Sequence, residues 1–316
     1  MNQFKRGDIT RFLDENILLE DGQPSIVTNG NRQILKIGDG VSGYYQLDDL
    51  LEKDTSHNAV FRGKNLDNYT ISQLHQMISN GDFSDIYVGD YIDVSIPWGN
   101  GYEDHRFRVA GVNIFLGTAD SSGVFNTPHI VLVSDYTCAS PRVWNSSTDI
   151  SEGYYGSTIY NLTIPLYNTA FQNAFYNYIL SHPIAVTTKV STDQDIHSMM
   201  APYGIGVSGN GNNAQAYLNL MNEVQVMGYP VWSSSGYDIC CQTGQFPLFR
   251  LAPQYRWSYL VSDKTTPAIY WLTNINRRKT TTDPDSPRVS GVSYYGNVGM
   301  FTPTSDYYFR PYFLFG

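Results

Sequence analysis

The side chains of this 316-residue chain that most often carry out catalysis are its six histidines and three cysteines. The histidines contain no HExxH pair and no spacing typical of a zinc finger, so the sequence predicts no metal site. Three cysteines do not predict a disulfide framework, and the adjacent Cys240 and Cys241 lie in an apolar neighbourhood where inert thiols are usual. These residues are His57, His75, His105, His129, His182, His197, Cys138, Cys240 and Cys241.

Other short motifs also give weak catalytic signals. "DQDIH" at 193–197 and "GIGVSGNG" at 204–211 have the composition of polar loops, and the second lacks the strand-turn-helix context of a nucleophile elbow. Two carboxylate pairs, Asp90 with Asp93 and Glu103 with Asp104, are close only in sequence. The sequence therefore predicts a protein that is not an enzyme and has no cofactor.

The composition of the chain gives a stronger signal for ligand binding than for catalysis. Charged residues make up only 16% of the chain, while aromatics reach 14% with 25 tyrosines, which is typical of uncharged polar recognition surfaces or simply of β-sheet. Aromatic faces stack on sugar rings and amides hydrogen-bond to sugar hydroxyls. The candidate ligand-binding residues are Asn274, Asn276, Tyr294, Tyr295, Asn297, Tyr307 and Tyr308. The alternative for each tyrosine is packing on a sheet.

The elements that must position these residues belong to an α+β, β-rich fold. Residues 1–50 form a small unit with three Asx-Gly turns, residues 51–59 a linker, and residues 60–316 a larger domain. Periodicity predicts helices at 70–80, 166–182 and 214–228, and strands in "DIYVGDYIDVSI", "HRFRVAGVNIFLG" and "HIVLVSD". The closing stretch "DYYFRPYFLFG" is so apolar that we expect it to form a buried strand.

Charge and hydropathy exclude further classes of function. A net charge of −9 without a basic patch argues against nucleic-acid binding. The first residues lack the apolar core of a secretion signal, and no run of 18 apolar residues predicts membrane insertion.

The small first unit resembles the N-terminal β-unit of phage tail-fibre and tropism-determinant proteins. The resemblance rests on "KIGDG", which is Lys36, Ile37, Gly38, Asp39 and Gly40, followed by two tyrosines and a leucine. In that family the unit mediates trimerisation and attachment to the virion. The resemblance therefore implies a homo-oligomer, expected to be a trimer, that contacts other virion proteins through residues 1–50.

The larger domain contains, in this order, "FRGKNL", "DIYVGDYI", "FRVAGVNIFL", "HIVLVSD", "LMNEVQVMGYPVWSSSGYD", "QFPLFRLAPQ", "YWLTNIN" and "FRPYFLFG". Together these segments resemble domains of structural proteins in phages and prophages of Gram-positive and gut bacteria. The end of the domain also resembles C-type-lectin-like variable domains. "YWLTNIN" followed by a variable stretch and then "FRPYFLFG" carries the second likeness, although the segment 276–291 is longer and more charged than that pattern. Such domains display ligand-contacting residues on a fixed scaffold whose closing strand lies in the core.

Together these likenesses predict a virion protein exposed on the particle surface. It would be a fibre or receptor-binding protein that recognises bacterial surface polysaccharide without catalysis. The alternative is a capsid or neck decoration protein, or head fibre, without a defined ligand.

Overall fold

A computed structural model describes most of the chain. The described residues are 5–15, 17–29, 32–38, 40–44, 49–51, 57–120, 123–182, 184–187, 203–205, 217–233, 244–277 and 287–316. The chain divides into two compact units, Met1–Val60 and Phe61–Gly316. No helix within the described residues is long and apolar enough to cross a membrane.

Among its described residues, the first unit has a four-stranded sheet and the short helix α1. Its elements are β1 (Lys5–Asp8), α1 (Ile9–Asp14), β2 (Pro24–Asn29), β3 (Arg32–Ile37) and β4 (Asp49–Leu51). The strands lie in the order of the sequence, with β1 parallel to β2 and the other pairs antiparallel. Its described apolar core consists of Phe12, Leu19, Val27 and Tyr44. Residues 52–56 of the expected linker lie outside the description.

The second unit contains the remaining strands and helices, which are mixed along the chain. Its helices are α2 (Ile71–Ser79), α3 (Ile164–Ala174), α4 (Glu223–Met227) and α5 (Pro247–Leu251), with a π-helical turn at Ile159–Thr163 and a 3-10 helix at Pro253–Arg256. The prediction of a β-rich α+β protein is confirmed.

The strands of the second unit are numbered onward from the first. They are β5 (Tyr91–Trp98), β6 (Gly101–Val112), β7 (Ala119–Asp120), β8 (Gly123–Val124), β9 (Ile130–Ser134), β10 (Tyr136–Thr137), β11 (Ile179–Leu180), β12 (Ala185–Thr187), β13 (Tyr203–Ile205), β14 (Leu218–Leu220), β15 (Tyr259–Leu260), β16 (Tyr270–Arg277), β17 (Pro287–Val292), β18 (Val298–Phe301) and β19 (Pro311–Phe315). The three strands predicted from 85–96, 105–117 and 129–135 exist as β5, β6 and β9, but β5 begins only at Tyr91 and β6 runs from Gly101 to Val112.

The main sheet is antiparallel and is completed by the closing strand. Its order is β11-β19-β9-β6-β5, and β14 pairs with the same edge of β19 as β11 does. Every residue of β19 is buried, as the apolar closing stretch predicts. Phe313 packs against Phe107 of β6 and Phe175 beside α3, with ring centroids 5.3 and 4.9 Å apart. The core of the unit therefore lies between this sheet and α3.

One helix prediction is confirmed closely. Thr70 caps α2 with a capping box, because its hydroxyl accepts from the Gln73 amide while the Gln73 side chain accepts from the Thr70 amide. The helix ends at Ser79, directly before the predicted Asn80-Gly81 stop.

The other two helix predictions are wrong in extent. The helix expected at 166–182 is α3, which ends at Ala174 because Tyr176 and Asn177 have positive φ and Ile179 then pairs with β19. The helix expected at 214–228 covers only α4, since Leu218–Leu220 forms strand β14. Gly228 ends α4 in the left-handed conformation.

A separate three-stranded antiparallel sheet carries five of the seven residues that were expected to bind a ligand. It has the order β16-β17-β18, and the Trp271 amide at its start donates to the carbonyl of Tyr308. The turn between β17 and β18 is residues 293–297, and it places two tyrosines at the surface.

Candidate functional site

The turn that joins β17 and β18 is fixed by its own hydrogen bonds. The Ser293 amide donates to the Asn297 carbonyl, and the Gly296 amide donates to the Ser293 carbonyl, both at 2.9 Å. The Ser293 hydroxyl also donates to Oδ1 of Asn297 at 2.6 Å. Gly296 has φ of +76°, a conformation that favours glycine. The turn is thus an ordered platform for the side chains that it carries.

Two tyrosines project from this turn. Tyr294 is 48% exposed and Tyr295 is 78% exposed, and their rings meet edge to face at 5.4 Å between centroids. Asn297 is exposed beside them. Their places agree with a surface role, and their contact with a ligand stays a prediction.

A tryptophan that the sequence analysis did not select packs against the same turn. A methyl group added to Gly296 would lie 2.0 Å from Nε1 of Trp257, so the indole rests directly on the glycine backbone. Trp257 follows the 3-10 helix Pro253–Arg256 and remains 43% exposed. The absent side chain at Gly296 is what admits the ring.

A second unselected tryptophan is held at the start of β18. Nε1 of Trp232 donates to the carbonyl of Val298 at 3.0 Å, and the side chain is 43% exposed. Trp257 and Trp232 therefore contact backbone positions two residues apart. We call Trp232, Trp257, Tyr294 and Tyr295 the aromatic turn surface.

A buried glutamate holds the segment that carries Trp232. Oε2 of Glu223 accepts hydrogen bonds from the amides of Val231, Trp232 and Ser233, at 2.6, 2.9 and 3.2 Å, and from the Ser233 hydroxyl. Its Oε1 accepts from the hydroxyl of Ser290 on β17. The carboxylate is fully buried and joins the 231–233 segment to the three-stranded sheet.

Asn274 and Asn276 belong to this buried network, so their expected place on an exposed ligand surface is wrong. Oδ1 of Asn274 accepts from the Glu223 amide at 2.6 Å, and Nδ2 of Asn276 donates to Ser290. Both side chains are buried. Their physical role is to supply hydrogen bonds beneath the aromatic turn surface.

Tyr307 and Tyr308 are intermediate cases. The Tyr307 ring packs against Trp271 and Phe301, at 5.1 and 4.8 Å between centroids, and is partly buried. Tyr308 is partly buried and its backbone bonds to Ile269 and Trp271. Contact of these two tyrosines with a ligand stays a prediction.

The aromatic turn surface is chemically suited to stacking on rings. Exposed indole and phenol faces provide apolar area and polar edges, which is the combination that binds sugars. The sequence signal that points to the two tryptophans is their polar, turn-rich context, "PVWSSSG" and "YRWSY". The sequence does not predict that Trp257 contacts this turn, because the contact depends on the backbone at Gly296.

The carboxylate pairs considered for hydrolysis are engaged elsewhere. Asp90 is buried and accepts hydrogen bonds from Arg62, while Asp93 pairs with Arg106 on the neighbouring strand. Asp104 accepts from the hydroxyl of Ser95. Each of these carboxylates therefore has a structural partner in the described part of the chain.

Glu103 belongs to a buried cluster that the sequence analysis did not foresee. Its Oε2 lies 3.0 Å from Nε2 of His105, and Nδ1 of His105 lies 2.8 Å from the hydroxyl of Ser134. Cys138 completes a group in which one Glu, one His and one Cys ligand atom lie within 4.8 Å of one another. An acid-histidine-serine chain has catalytic precedent, and here all of these side chains are buried.

Two other histidines are buried around Phe115. Nε2 of His129 accepts from the Phe115 amide at 3.1 Å, and its Nδ1 donates to the Thr127 carbonyl at 2.8 Å. Nε2 of His182 lies 3.2 Å from the Tyr312 hydroxyl. Burial lowers the pKa of His129 from its ordinary value of 6.5 to about 4, and the pKa of His182 to about 3. Both rings are neutral at pH 7.

The "KIGDG" motif of the first unit begins at the end of its third strand. Lys36 and Ile37 are the last residues of β3, and the ammonium group of Lys36 lies 4.9 Å above the Tyr44 ring. A methyl group at Gly38 would lie 2.3 Å from the Glu20 carbonyl oxygen, and Gly40 has φ of +76°. Asp39 lies outside the described residues. The two glycines therefore permit a close turn, and attachment by this motif stays a prediction.

Three further motifs, 193–197, most of 204–211 and Cys240-Cys241, also lie outside the described residues.

No protein-family model matches this chain, and no curated protein or solved structure is significantly similar to it.

Proposed function

We propose that this chain is a non-catalytic recognition protein of a bacteriophage particle, and that its aromatic turn surface binds polysaccharide of the bacterial host. The observation that carries the proposal is the exposure of four aromatic side chains held against one ordered turn. Aromatic rings fixed by backbone contacts lose little conformational freedom on binding, which favours affinity.

The assignment to a virion is supported by the family likenesses of the two units. The closing strand in the middle of the main sheet is also what a C-type-lectin-like variable domain requires, and we propose that fold for residues 61–316. Low charge suits a neutral polar ligand such as a cell-wall glycan.

The first unit is proposed to attach the protein to other virion proteins and to form a homotrimer. Support comes from the "KIGDG" likeness and from the unit's size. Its described apolar core has only four buried side chains, and units of this size are often stabilised by partners.

Recognition can be tested by a substitution at Gly296. Gly296→Ala removes the space that Trp257 occupies and should displace the indole from the turn. We expect binding to immobilised cell-wall polysaccharide from Gram-positive and gut bacteria to fall by about tenfold, which corresponds to about 1.4 kcal/mol.

The matched control is Gly99→Ala on the β5–β6 hairpin. Gly99 also has positive φ, but an added methyl group there meets nothing within 4 Å. Both variants therefore suffer similar backbone strain, and only Gly296→Ala moves Trp257. Equal binding by the two variants, or no binding by the parent to any of these polysaccharides, would overturn the proposal and favour a decoration protein.

A further inference from the structure

The second unit contains a set of buried side chains whose types are those of a metal site. Glu103 and His105 are two residues apart on β6, so both project from the same face of the strand. Cys138 comes directly after β10. The three ligand atoms lie within 4.8 Å of one another, and all three side chains are buried.

The separations of the ligand atoms are close to those that a zinc ion requires. Zinc bonds of about 2.0–2.3 Å place neighbouring ligand atoms roughly 3.3–3.8 Å apart. The Glu103 and His105 atoms are 3.0 Å apart, and the largest separation in the group is under 4.8 Å. Shifts of about 1 Å, within the range of side-chain rotation, would therefore accommodate the ion.

The groups behind these side chains are those that orient metal ligands. The second ring nitrogen of His105 contacts the Ser134 hydroxyl at 2.8 Å, and Oε1 of Glu103 accepts from the Ala139 amide at 3.1 Å. Metal-binding histidines and carboxylates nearly always have such outer partners, which fix their orientation.

Tyr167 provides an independent observation at the same place. Its side chain is fully buried, and its hydroxyl oxygen makes no hydrogen bond to an oxygen or nitrogen atom. The hydroxyl faces the thiol of Cys138 and interacts electrostatically with Glu103. A thiol is only a weak hydrogen-bond partner for a buried hydroxyl, so the Tyr167 hydroxyl is available to an ion or to a ligand atom in this cluster.

We propose that Glu103, His105 and Cys138 bind one zinc ion, with the Tyr167 hydroxyl in the fourth position or bonded to a ligand. A thiolate with an imidazole and a carboxylate favours zinc over calcium or magnesium, which prefer oxygen ligands. One carboxylate and one thiolate also balance the charge of the ion, so the occupied site is neutral.

Binding of the ion displaces the proton of the Cys138 thiol, because a metal-bound cysteine is a thiolate. On binding, the S–H bond breaks, the sulfur coordinates the ion and the proton leaves to solvent. Because the site lies between β6 and the segment after β10, the ion would fix that segment to the sheet.

The test uses the full chain with its two other cysteines removed. In Cys240→Ser combined with Cys241→Ser, Cys138 is the one remaining cysteine of the sequence. This variant leaves the proposed ligands intact. It is to be refolded from denaturant in the presence of Co²⁺, a spectroscopic substitute for zinc, and then dialysed to remove unbound metal. We expect one bound Co²⁺ per chain, a near-ultraviolet thiolate-to-cobalt band, strong visible bands of tetrahedral cobalt, and displacement of these bands by Zn²⁺.

Elemental analysis and a matched variant complete the design. The double variant refolded with Zn²⁺ should contain one zinc per chain and melt at a higher temperature than the same protein refolded with a chelator. Adding Cys138→Ser should remove the thiolate band, while His129→Gln, at a buried histidine outside the cluster, should keep it. Cobalt bound without the thiolate band, or no retained metal in a folded double variant, would overturn the proposal.

Discussion

Aromatic side chains have opposite uses in two regions of the second unit. Around β19 the rings of Phe107, Phe175 and Phe313 are fully buried and contact one another at 4.9 to 5.4 Å between centroids. On the aromatic turn surface the rings are exposed and are held by the backbone of residues 293–298. The two regions differ in what fixes each ring. In the core the rings are fixed by other side chains, whereas at the turn they are fixed by the geometry of the main chain.

This comparison separates stability from recognition. Rings in the core exclude water and contribute to folding, whereas exposed rings contribute little to folding and keep their faces free. Changes around β19 should therefore act on the free energy of unfolding, and changes at the outer edge of the turn should act on binding.

The largest effect should come from deleting residues 312–316. The deletion removes most of β19 and leaves β9 without its partner on that side. Burial of Phe313, Leu314 and Phe315 contributes about 1.5–3 kcal/mol for each side chain. That total rivals the typical net stability of a domain, about 5–15 kcal/mol. We expect circular dichroism to show an unfolded second unit, and an unchanged melting temperature would contradict the buried role of β19.

Acid should weaken the same core. The folded pKa values of His129 and His182, about 4 and about 3, are lower than the ordinary value of 6.5. The stability contributed by the neutral rings is therefore complete above pH 6.5 and is lost progressively as the pH falls toward 3. At pH 4.5 each ring costs roughly 2–3 kcal/mol relative to pH 7, or about 5 kcal/mol for both.

Denaturant titrations from pH 7.5 to 4.5 measure this loss. His129→Gln supplies an uncharged acceptor for the Phe115 amide, so about half of the acid sensitivity should disappear. An unfolding free energy that stays constant between pH 6.5 and 4.5 in the parent would show that these histidines do not destabilise the fold in acid.

A smaller effect is expected at Glu223, the buried residue that holds the segment carrying Trp232. Glu223→Ala removes the acceptor of three backbone amides in the segment that carries Trp232. An unsatisfied buried donor costs about 1–3 kcal/mol, and water can reach part of this segment, so we expect a loss of about 3 kcal/mol together with weaker polysaccharide binding.

Glu223→Gln is the conservative partner of that variant. It keeps one acceptor oxygen and should recover part of both losses, measured by chemical denaturation and by binding. Normal binding by a folded Glu223→Ala protein would mean that Trp232 does not need its buried support.

The smallest effect on folding should come from Tyr295→Ala. Because the ring is 78% exposed, the free energy of unfolding should change by less than about 0.5 kcal/mol, while binding falls by about tenfold. Tyr102→Ala is the matched control, since Tyr102 is 75% exposed on the β5–β6 hairpin. If both variants bind like the parent, Tyr295 is a surface residue without a role in recognition.

The sequence was a good guide where local interactions decide the structure. The α2 helix is set by Thr70 and Gln73, three residues apart, and the residues that form β6 are visible as a strand within a dozen residues. The extent of α3 was not predictable in this way. Ile179 leaves the helical pattern because it pairs with Phe315, and that partner is more than 130 residues away.

The candidate site shows the same limit. Tyr294 and Asn274 both lie in polar, aromatic-rich sequence, yet one is exposed and the other is buried. What buries Asn274 is the amide of Glu223, 51 residues earlier. Trp257 joins the turn only because Gly296 adopts a positive φ and leaves room for the indole. Long-range partners and backbone conformation, rather than composition, decide which polar and aromatic residues face a ligand.

The central position of β19 also has a consequence for synthesis of the protein. Val133 of β9 is made about 180 residues before its partner Tyr312, and β19 is the last strand of the main sheet to leave the ribosome. Until then one apolar edge of β9 has no native partner, and such edges invite aggregation. Pairing across so long a separation is slow. We therefore expect the second unit to fold late, after most of the chain has emerged, and to depend on chaperones that shield the unfinished sheet.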